Sequence, residues 1–208
     1  MGGTYDLGAA YQAKDSAEAE AVYDEGADEY ERRILGWGYS TPAVIAYFLG
    51  RFVAPGDGPI LDAGAGTGLM GLLLSTLGHG DVIGIDLSER MLAQASEKGV
   101  YRSLHRMDLA EPLDLPADEF AATVASGVFA AGHAPPAALP ELVRVTRPGG
   151  HVIFSVRTDV YADGTFKQQQ EELERERWWE LAQASEPFAH LRLEYPELKV
   201  QVFDYRVL

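Results

Sequence analysis

The chain has 208 residues, no cysteine, and 17 Lys and Arg against 32 Asp and Glu, a formal net charge of −15. That composition excludes a disulfide scaffold, a cysteine nucleophile and a thiolate metal site, and no other metal site is expected. It also argues against nucleic acid and anionic membranes as partners, because phosphate contacts need clustered basic residues and the only adjacent basic pair is Arg32-Arg33. The length fits one domain with a real core. The surplus of acid suits ordinary solubility or a cationic ligand. Met1 to Ala10 lacks a basic stretch followed by an apolar one, and the longest apolar run, Ala43 to Leu49, is far too short to span a membrane. A cytoplasmic location is therefore expected.

Ser16 to Ile34, rich in Ala and Glu, reads as a helix. Gly36 and Gly38 punctuate the chain, and Thr41 is the expected N-cap of a helix with Pro42 at its first position, running to about Arg51. After Pro55-Gly56-Asp57-Gly58 the texture changes to alternating strands and helices. Strands are expected at Ile60-Leu61, Val82 to Asp86, Leu104 to Met107, Ala121 to Ser126 and His151 to Val156. Helices are expected at Leu69 to Leu77, from Ser88 to Gly99 and from Ala137 to Val145. Such alternation implies right-handed crossovers and a mainly parallel sheet with helices on both faces. Phe166 to Ser185 then reads as a long charged helix. Leu191 to Tyr195 and Val200 to Val207 read as a hairpin turning at Pro196-Glu197. The expectation is an α/β chain with a Rossmann-like sheet of seven strands, five parallel and two in a C-terminal antiparallel hairpin.

The most informative segment is Asp62-Ala63-Gly64-Ala65-Gly66-Thr67-Gly68. Alternate glycines after a strand let the backbone turn tightly and approach a ligand, and the next helix offers N–H groups to an anion. The dinucleotide pattern G-x-G-x-x-G fails, because Leu69 stands at its third glycine, and there is no G-K-[ST] of a Walker loop. Downstream, Asp86 ends the second strand, where a carboxylate can accept from both hydroxyls of a ribose or cap a helix with Ser88. Asp108 follows the third strand and can accept from an exocyclic amine of adenine beside Leu109, or make a turn. Met91 covers the adenine face or fills core.

Together, Asp62-x-Gly64-x-Gly66-x-Gly68, Gly84-x-Asp86-x-Ser88 and Met107-Asp108-Leu109 resemble the first three motifs of the class I S-adenosylmethionine-dependent methyltransferases. The turn Arg147-Pro148-Gly149-Gly150-His151 and the closing hairpin resemble further landmarks of that superfamily, so the likeness runs from about Ile60 to Leu208. Within it, Tyr23-Asp24-x-x-Ala27-x-x-Tyr30, Gly38-Tyr39-x-x-Pro42, Met91-Leu92 and Gly99-Val100-Tyr101 resemble the methyltransferase-like proteins typified by the Williams–Beuren-region member. Gly26 and Glu31 depart from that pattern, which often has Trp and Asp there.

The resemblance implies one domain, with 1–54 a helical lid and 55–208 the cofactor-binding core, and S-adenosylmethionine as cofactor. It implies that the backbone of Gly64, Ala65, Gly66, Thr67 and Gly68 faces the methionine portion and that Asp62 also serves the cofactor. Asp86 and Leu87 fall to the ribose, and Met91, Asp108 and Leu109 to the adenine. Ser126 and Gly127 would lie beside the reacting methyl, with Tyr30 and Tyr39 reaching over the methionine end or simply packing the lid. His133, on the loop leaving the fourth strand, is either a general base or a shaper of the Pro135-Pro136 turn. Trp37, Arg157 and Tyr161 are candidates to wall or orient the substrate. The expected activity is in-line methyl transfer to an O, N, S or C atom of a small molecule. The competing readings are a non-catalytic cofactor-binding module and an NAD(P)-dependent oxidoreductase.

Overall fold

The computed structural model describes Gly8, Ala13, residues 16–130 and residues 132–208. The expected lack of a leader in Met1 to Ala10 therefore falls outside the described residues, apart from Gly8. Helices α1 (Ser16–Gly36) and α2 (Thr41–Leu49) precede β1 (Ile60–Ala63), α3 (Leu69–Thr76), β2 (Val82–Asp86), α4 (Glu89–Glu97) and β3 (Ser103–Arg106). Then come β4 (Phe120–Phe129), a short 3-10 turn, α5 (Leu139–Val145), β5 (Thr146–Arg157), α6 (Thr158–Tyr161) and α7 (Thr165–Arg175). The chain closes with β6 (Trp179–Ala184), β7 (Phe188–Leu191) and β8 (Tyr195–Val207). Thr41 starts α2 rather than capping it. Ser40 is the capping residue and makes no side-chain cap bond, and the helix stops at Leu49. No helix among the described residues is long and apolar enough to cross a membrane.

The strands form one sheet in the order β3-β2-β1-β4-β5-β8-β6, with β7 paired to β8 beside that path. The first five are mutually parallel, and β8 runs antiparallel to β5, β6 and β7. Alternation along each strand sends successive side chains to opposite faces. Leu61, Ile83, Ile85, Phe154 and Tyr205 join one apolar cluster with Leu139 and Leu142 of α5 and Leu173 of α7. Ile60, Val82, Val124, Ile153 and Val202 join the other, with Ile45 and Leu49 of α2 and Met70 and Leu74 of α3. Both faces are therefore covered, as the alternation in sequence implies.

Three tail expectations change. The long helix ends at Arg175, Arg177 takes a left-handed φ of 63°, and residues from Trp179 form β6. Tertiary pairing overrides the Ala and Glu helix preference here. Trp179 is buried and stacks on Tyr205 at 4.0 Å between centroids, with Nε1 donating to the Gln170 carbonyl, while Trp178 is 43% exposed. The hairpin turns at residues 192–194, not at Pro196-Glu197, and Pro196 lies inside β8. The sheet thus holds eight strands instead of seven, the additional one being β6.

Because β1 to β5 are parallel, their carboxyl ends share one edge. β2 lies on one side of β1 and β4 on the other, so the order in which strands are added reverses at β1 and a crevice opens between the loops after β1 and β4. The strand β4 continues past its expected end at Ser126 to Phe129, and its pairing with β5 shifts register between Ala125 and Phe129. That irregularity turns Ser126, Gly127 and Val128 toward the crevice.

The assignment of β6 has a direct test. Trp179→Ala should destabilise the chain by about 3–5 kcal/mol, the range for a buried large aromatic, and Trp178→Ala by less than ~1 kcal/mol. Urea unfolding monitored by circular dichroism measures both, and equal losses would contradict the strand.

Candidate functional site

The loop after β1 is anchored from beneath. Gly64 and Ala65 donate to the Ile85 carbonyl at 2.8 and 2.9 Å. Gly66 donates its N–H to Asp86 Oδ2 at 2.8 Å, and Ser88 donates to Asp86 Oδ1 at 2.9 Å. One carboxylate therefore holds both the glycine loop and the start of α4, where the Ser88 hydroxyl caps the helix by accepting from Met91 N at 3.0 Å. Burial pushes the Asp86 carboxyl above the usual range, and the N–H bonds from Ser88, Gly66 and Leu87 oppose that shift. Gly64 has φ of 78°, and a Cβ there would lie 2.2 Å from Val128 Cγ2. Only glycine allows the loop and β4 to approach this closely.

Asp62 lies under the loop, fully buried. Its Oδ2 accepts from Tyr101 Oη at 2.7 Å, and Tyr101 Oη accepts from Gly71 N at 3.1 Å. Tyr101 occupies space left by two glycines, since a Cβ at Gly71 or Gly84 would fall 2.2 or 2.9 Å from its ring. Asp62 Oδ1 has no hydrogen-bond partner. Burial raises the Asp62 carboxyl to about 7; the Tyr101 bond lowers it and the nearby Asp86 charge raises it.

An open cleft of about 770 Å³, part of it continuous with solvent, runs along the carboxyl edge under α1. Gly64, Gly66, Asp86, Leu87 and Met91 line it on the β1–β2 side. Asp108 and Leu109 line it beyond β3, and Ser126, Gly127 and His133 line it at β4. Asp108 also makes the turn that was its alternative reading, accepting from Ala110 N at 2.8 Å. A smaller hollow of about 310 Å³ adjoins Gly64 and Gly66, and Tyr30, Tyr39, Ala65 and Thr67 face it. Tyr30 borders both spaces. Tyr39 Oη is 2.9 Å from Ser126 Oγ, and its hydroxyl sits where a Cβ at Gly127 would come within 2.7 Å. Thr67 is 1% exposed, and its Oγ1 has no hydrogen-bond partner.

Five expected site residues lie elsewhere. Asp62 and Gly68 border neither space: Asp62 supports the loop from below, and Gly68 caps α3 with φ of 88°. Trp37 packs edge-on against Tyr195 at 5.3 Å. Arg157 is buried and pairs with Asp159, and Tyr161 stacks on Phe203 at 5.2 Å. Neither of those two, nor Trp37, is among the residues bordering the cleft, because the fold commits each to packing or pairing on the β5–β8 side or against the β7–β8 hairpin.

Sequence reasoning placed no role on Glu20 or Tyr23, yet both line the cleft from α1. The signal was present in the four-residue spacing of Glu20 and Asp24 beside Tyr23. Tyr23 Oη lies 2.5 Å from His133 Nε2. The charged residues bordering the cleft are Glu20, Asp86 and Asp108, and no Lys or Arg borders it among the described residues. Such a space attracts a cation and repels a phosphate.

The Asp62 carboxyl gives a pH prediction. Its folded pKa is raised from 3.8 to about 7, so the folded chain holds a proton that the unfolded chain releases. The associated stability is complete below about pH 4 and is lost as pH rises through 7. Relative to Asp62→Asn, the wild type should lose up to ~4 kcal/mol of unfolding free energy across that window, at 1.36 kcal/mol per pH unit. Urea titrations at several pH values measure the difference, and a difference independent of pH would contradict the assignment.

Comparisons with known proteins agree with this geometry. The family described as a methyltransferase domain matches residues 61–154. Human methyltransferase-like protein 27 is 34% identical over 154 residues, 73% of this chain and 62% of that protein. Phosphatidylethanolamine N-methyltransferase of Cereibacter sphaeroides is 38% identical over 103 residues, 47% of this chain and 49% of that protein. The chain thus spans less than two thirds of the curated relatives it matches. A TehB-like S-adenosylmethionine-dependent methyltransferase of Corynebacterium glutamicum superposes with a TM-score of 0.63, covering 88% of this chain and 98% of that one at 23% identity, a likeness of fold. With a glycine loop pinned by Asp86, a cleft at the switch point and these matches, residues 61–154 form a methyltransferase domain, and the chain is similar in sequence to methyltransferase-like protein 27 and in fold to S-adenosylmethionine-dependent methyltransferases.

Proposed function

We propose that this chain is an S-adenosylmethionine-dependent methyltransferase that acts on a small, neutral or cationic molecule. The observation that carries the reading is the cleft at the switch point, bordered by three carboxylates and by no Lys or Arg among the described residues. That lining fits a cationic sulfonium cofactor and disfavours the pyrophosphate of a nicotinamide dinucleotide. The buried Thr67 Oγ1, which has no partner and faces the smaller hollow, fits a polar ligand group there.

In this reading the backbone from Gly64 to Thr67 and the side chains of Tyr30 and Tyr39 hold the methionine portion. Asp86 holds the ribose: backbone N–H groups of Gly66, Ser88 and Leu87 orient its carboxylate, which borders the cleft and offers its remaining acceptor capacity to the ribose hydroxyls. Asp108 and Leu109 hold the adenine, with Met91 against its face. When bound, the cofactor supplies a methyl group on a positively charged sulfur, which needs no further activation.

The chain's own task is then largely positioning, which in well-oriented systems removes roughly 7–11 kcal/mol of barrier. Ser126 and Gly127 fix where the acceptor meets the cofactor. His133 accepts a proton from an acceptor that arrives protonated. The acidic lining and the net charge of −15 favour a small molecule over a nucleic acid as acceptor.

Ligand-induced thermal stabilisation tests this. S-adenosylhomocysteine at 100 times its Kd should stabilise the folded chain by about 2.7 kcal/mol, raising Tm by roughly 5–11 °C, and NAD or NADP should not. Asp86→Ala should remove most of that rise while circular dichroism stays native. A rise with NAD alone would contradict the proposal, and an unchanged rise in Asp86→Ala would remove Asp86 from the ribose.

A further inference from the structure

Helix α1 meets the rest of the chain through a row of acids. Glu20, Asp24, Asp28 and Glu31 recur every three or four residues, so they share one helical face. Arg106 Nη2 donates to Glu20 at 2.8 Å, and the Ser88 hydroxyl donates to Asp24. Arg90 donates to Asp28 at 3.2 Å, and Lys98 to Glu31 at 2.7 Å. These partners come from the end of β3, the β2–α4 turn and both ends of α4. Buried Ala19 and Ala27, whose small side chains let the helix lie close, lie on the same side of α1.

From that position Tyr23 reaches across the cleft to His133 on the loop after β4. The hydroxyl is 2.5 Å from Nε2, and the rings meet edge to face at 5.4 Å. The loop is held in turn by the His133 N–H, which donates to the Ala130 carbonyl at 3.1 Å. Tyr23 also packs edge-on against Tyr30 at 5.9 Å. Both Tyr23 and His133 border the same cleft as Ser126 and Gly127.

We propose that Tyr23 and His133 form a proton relay for the acceptor, completed by α1 and held in register by its row of acids. The inference rests on the reading of His133 as proton acceptor. A tyrosine hydroxyl can donate and accept at once, and a neutral imidazole with its proton on Nδ1 accepts at Nε2. The acceptor's N–H or O–H proton passes to Tyr23 Oη as the tyrosine proton passes to His133 Nε2. The acceptor keeps the electron pair of the broken bond, the tyrosine is unchanged, and the imidazole gains one proton and one positive charge. The acceptor class is therefore one that arrives with an N–H or O–H to lose. Glu20, Asp86 and Asp108 around the cleft favour the resulting imidazolium and disfavour an anionic acceptor.

Nitrogen NMR of the His133 ring in the ligand-free protein, with hydrogen exchange over residues 16–36, tests the relay. The ring should be the Nδ1–H tautomer. Tyr23→Phe should move its titration midpoint by about 0.5–1 unit, because the two protonation states of the ring make bonds of different strength to the tyrosine hydroxyl. Glu20, Asp24, Asp86, Asp108 and Tyr30 are the same in both proteins, so the difference isolates the tyrosine hydroxyl. The double variant Asp28→Asn with Glu31→Gln, away from the cleft lining, should speed exchange in α1 by about two- to tenfold and move the midpoint the same way. An Nε2–H tautomer, or a midpoint unmoved in Tyr23→Phe, would overturn the relay. Faster exchange in the double variant without a change at His133 would overturn the role of the acid row. Stabilisation by S-adenosylhomocysteine reports separately on the methyltransferase reading, so a chain that keeps it and fails here loses only this inference.

Discussion

Asp86 joins two loops that the rest of the site depends on. Its two oxygens take N–H bonds from Gly66, in the turn after β1, and from Ser88, at the start of α4. Without that bridge the glycine loop and the helix that carries Met91 would have no fixed relation to each other. A buried carboxylate is costly unless it is hydrogen-bonded, and here the backbone supplies the bonds. The result is a charge held at the end of β2, facing the crevice where the sheet changes direction. Gly64 completes the constraint from the other side, because its missing side chain lets the loop come against Val128 of β4.

Electrostatics then sort the two sides of the site. Helix α1 is attached through paired acids, Glu20 among them, whereas Asp86 and Asp108 face the cleft with no Lys or Arg among the described residues that border it. Exposed ion pairs are individually weak and screened by salt, so α1 is held less firmly than the strands of the sheet.

Much of this was legible in the sequence, for physical reasons. Alternate glycines from 64 to 68, with acids closing β2 and following β3, are local patterns tied to local geometry, and the parallel order of β1 to β5 follows from the strand and helix alternation. The tail was less legible. Helix propensity favoured a continuation through Glu180 and Ala184, and only the stacking of Trp179 on Tyr205, a partner 26 positions away, decides for a strand. Arg157 and Tyr161 follow the fifth strand at the edge where ligands bind, and Trp37 stands between glycines in a loop that could close over a pocket. The structure commits Trp37 to Tyr195 and Tyr161 to Phe203, partners far along the chain that no local pattern announces, and Arg157 to Asp159 two positions on. The direct role expected of Asp62 gave way for a similar reason: Tyr101, 39 positions on, fills the space above Gly71 and Gly84 and takes its carboxylate.

The central claim is that this cleft holds S-adenosylmethionine with its ribose on Asp86. A crystal structure of the chain with S-adenosylhomocysteine tests it most directly. The account predicts the ligand along the cleft, both ribose hydroxyls on the Asp86 carboxylate and the sulfur facing Ser126 and Gly127. A ligand bound elsewhere, or an Asp86 still engaged only by Gly66 and Ser88, would contradict it.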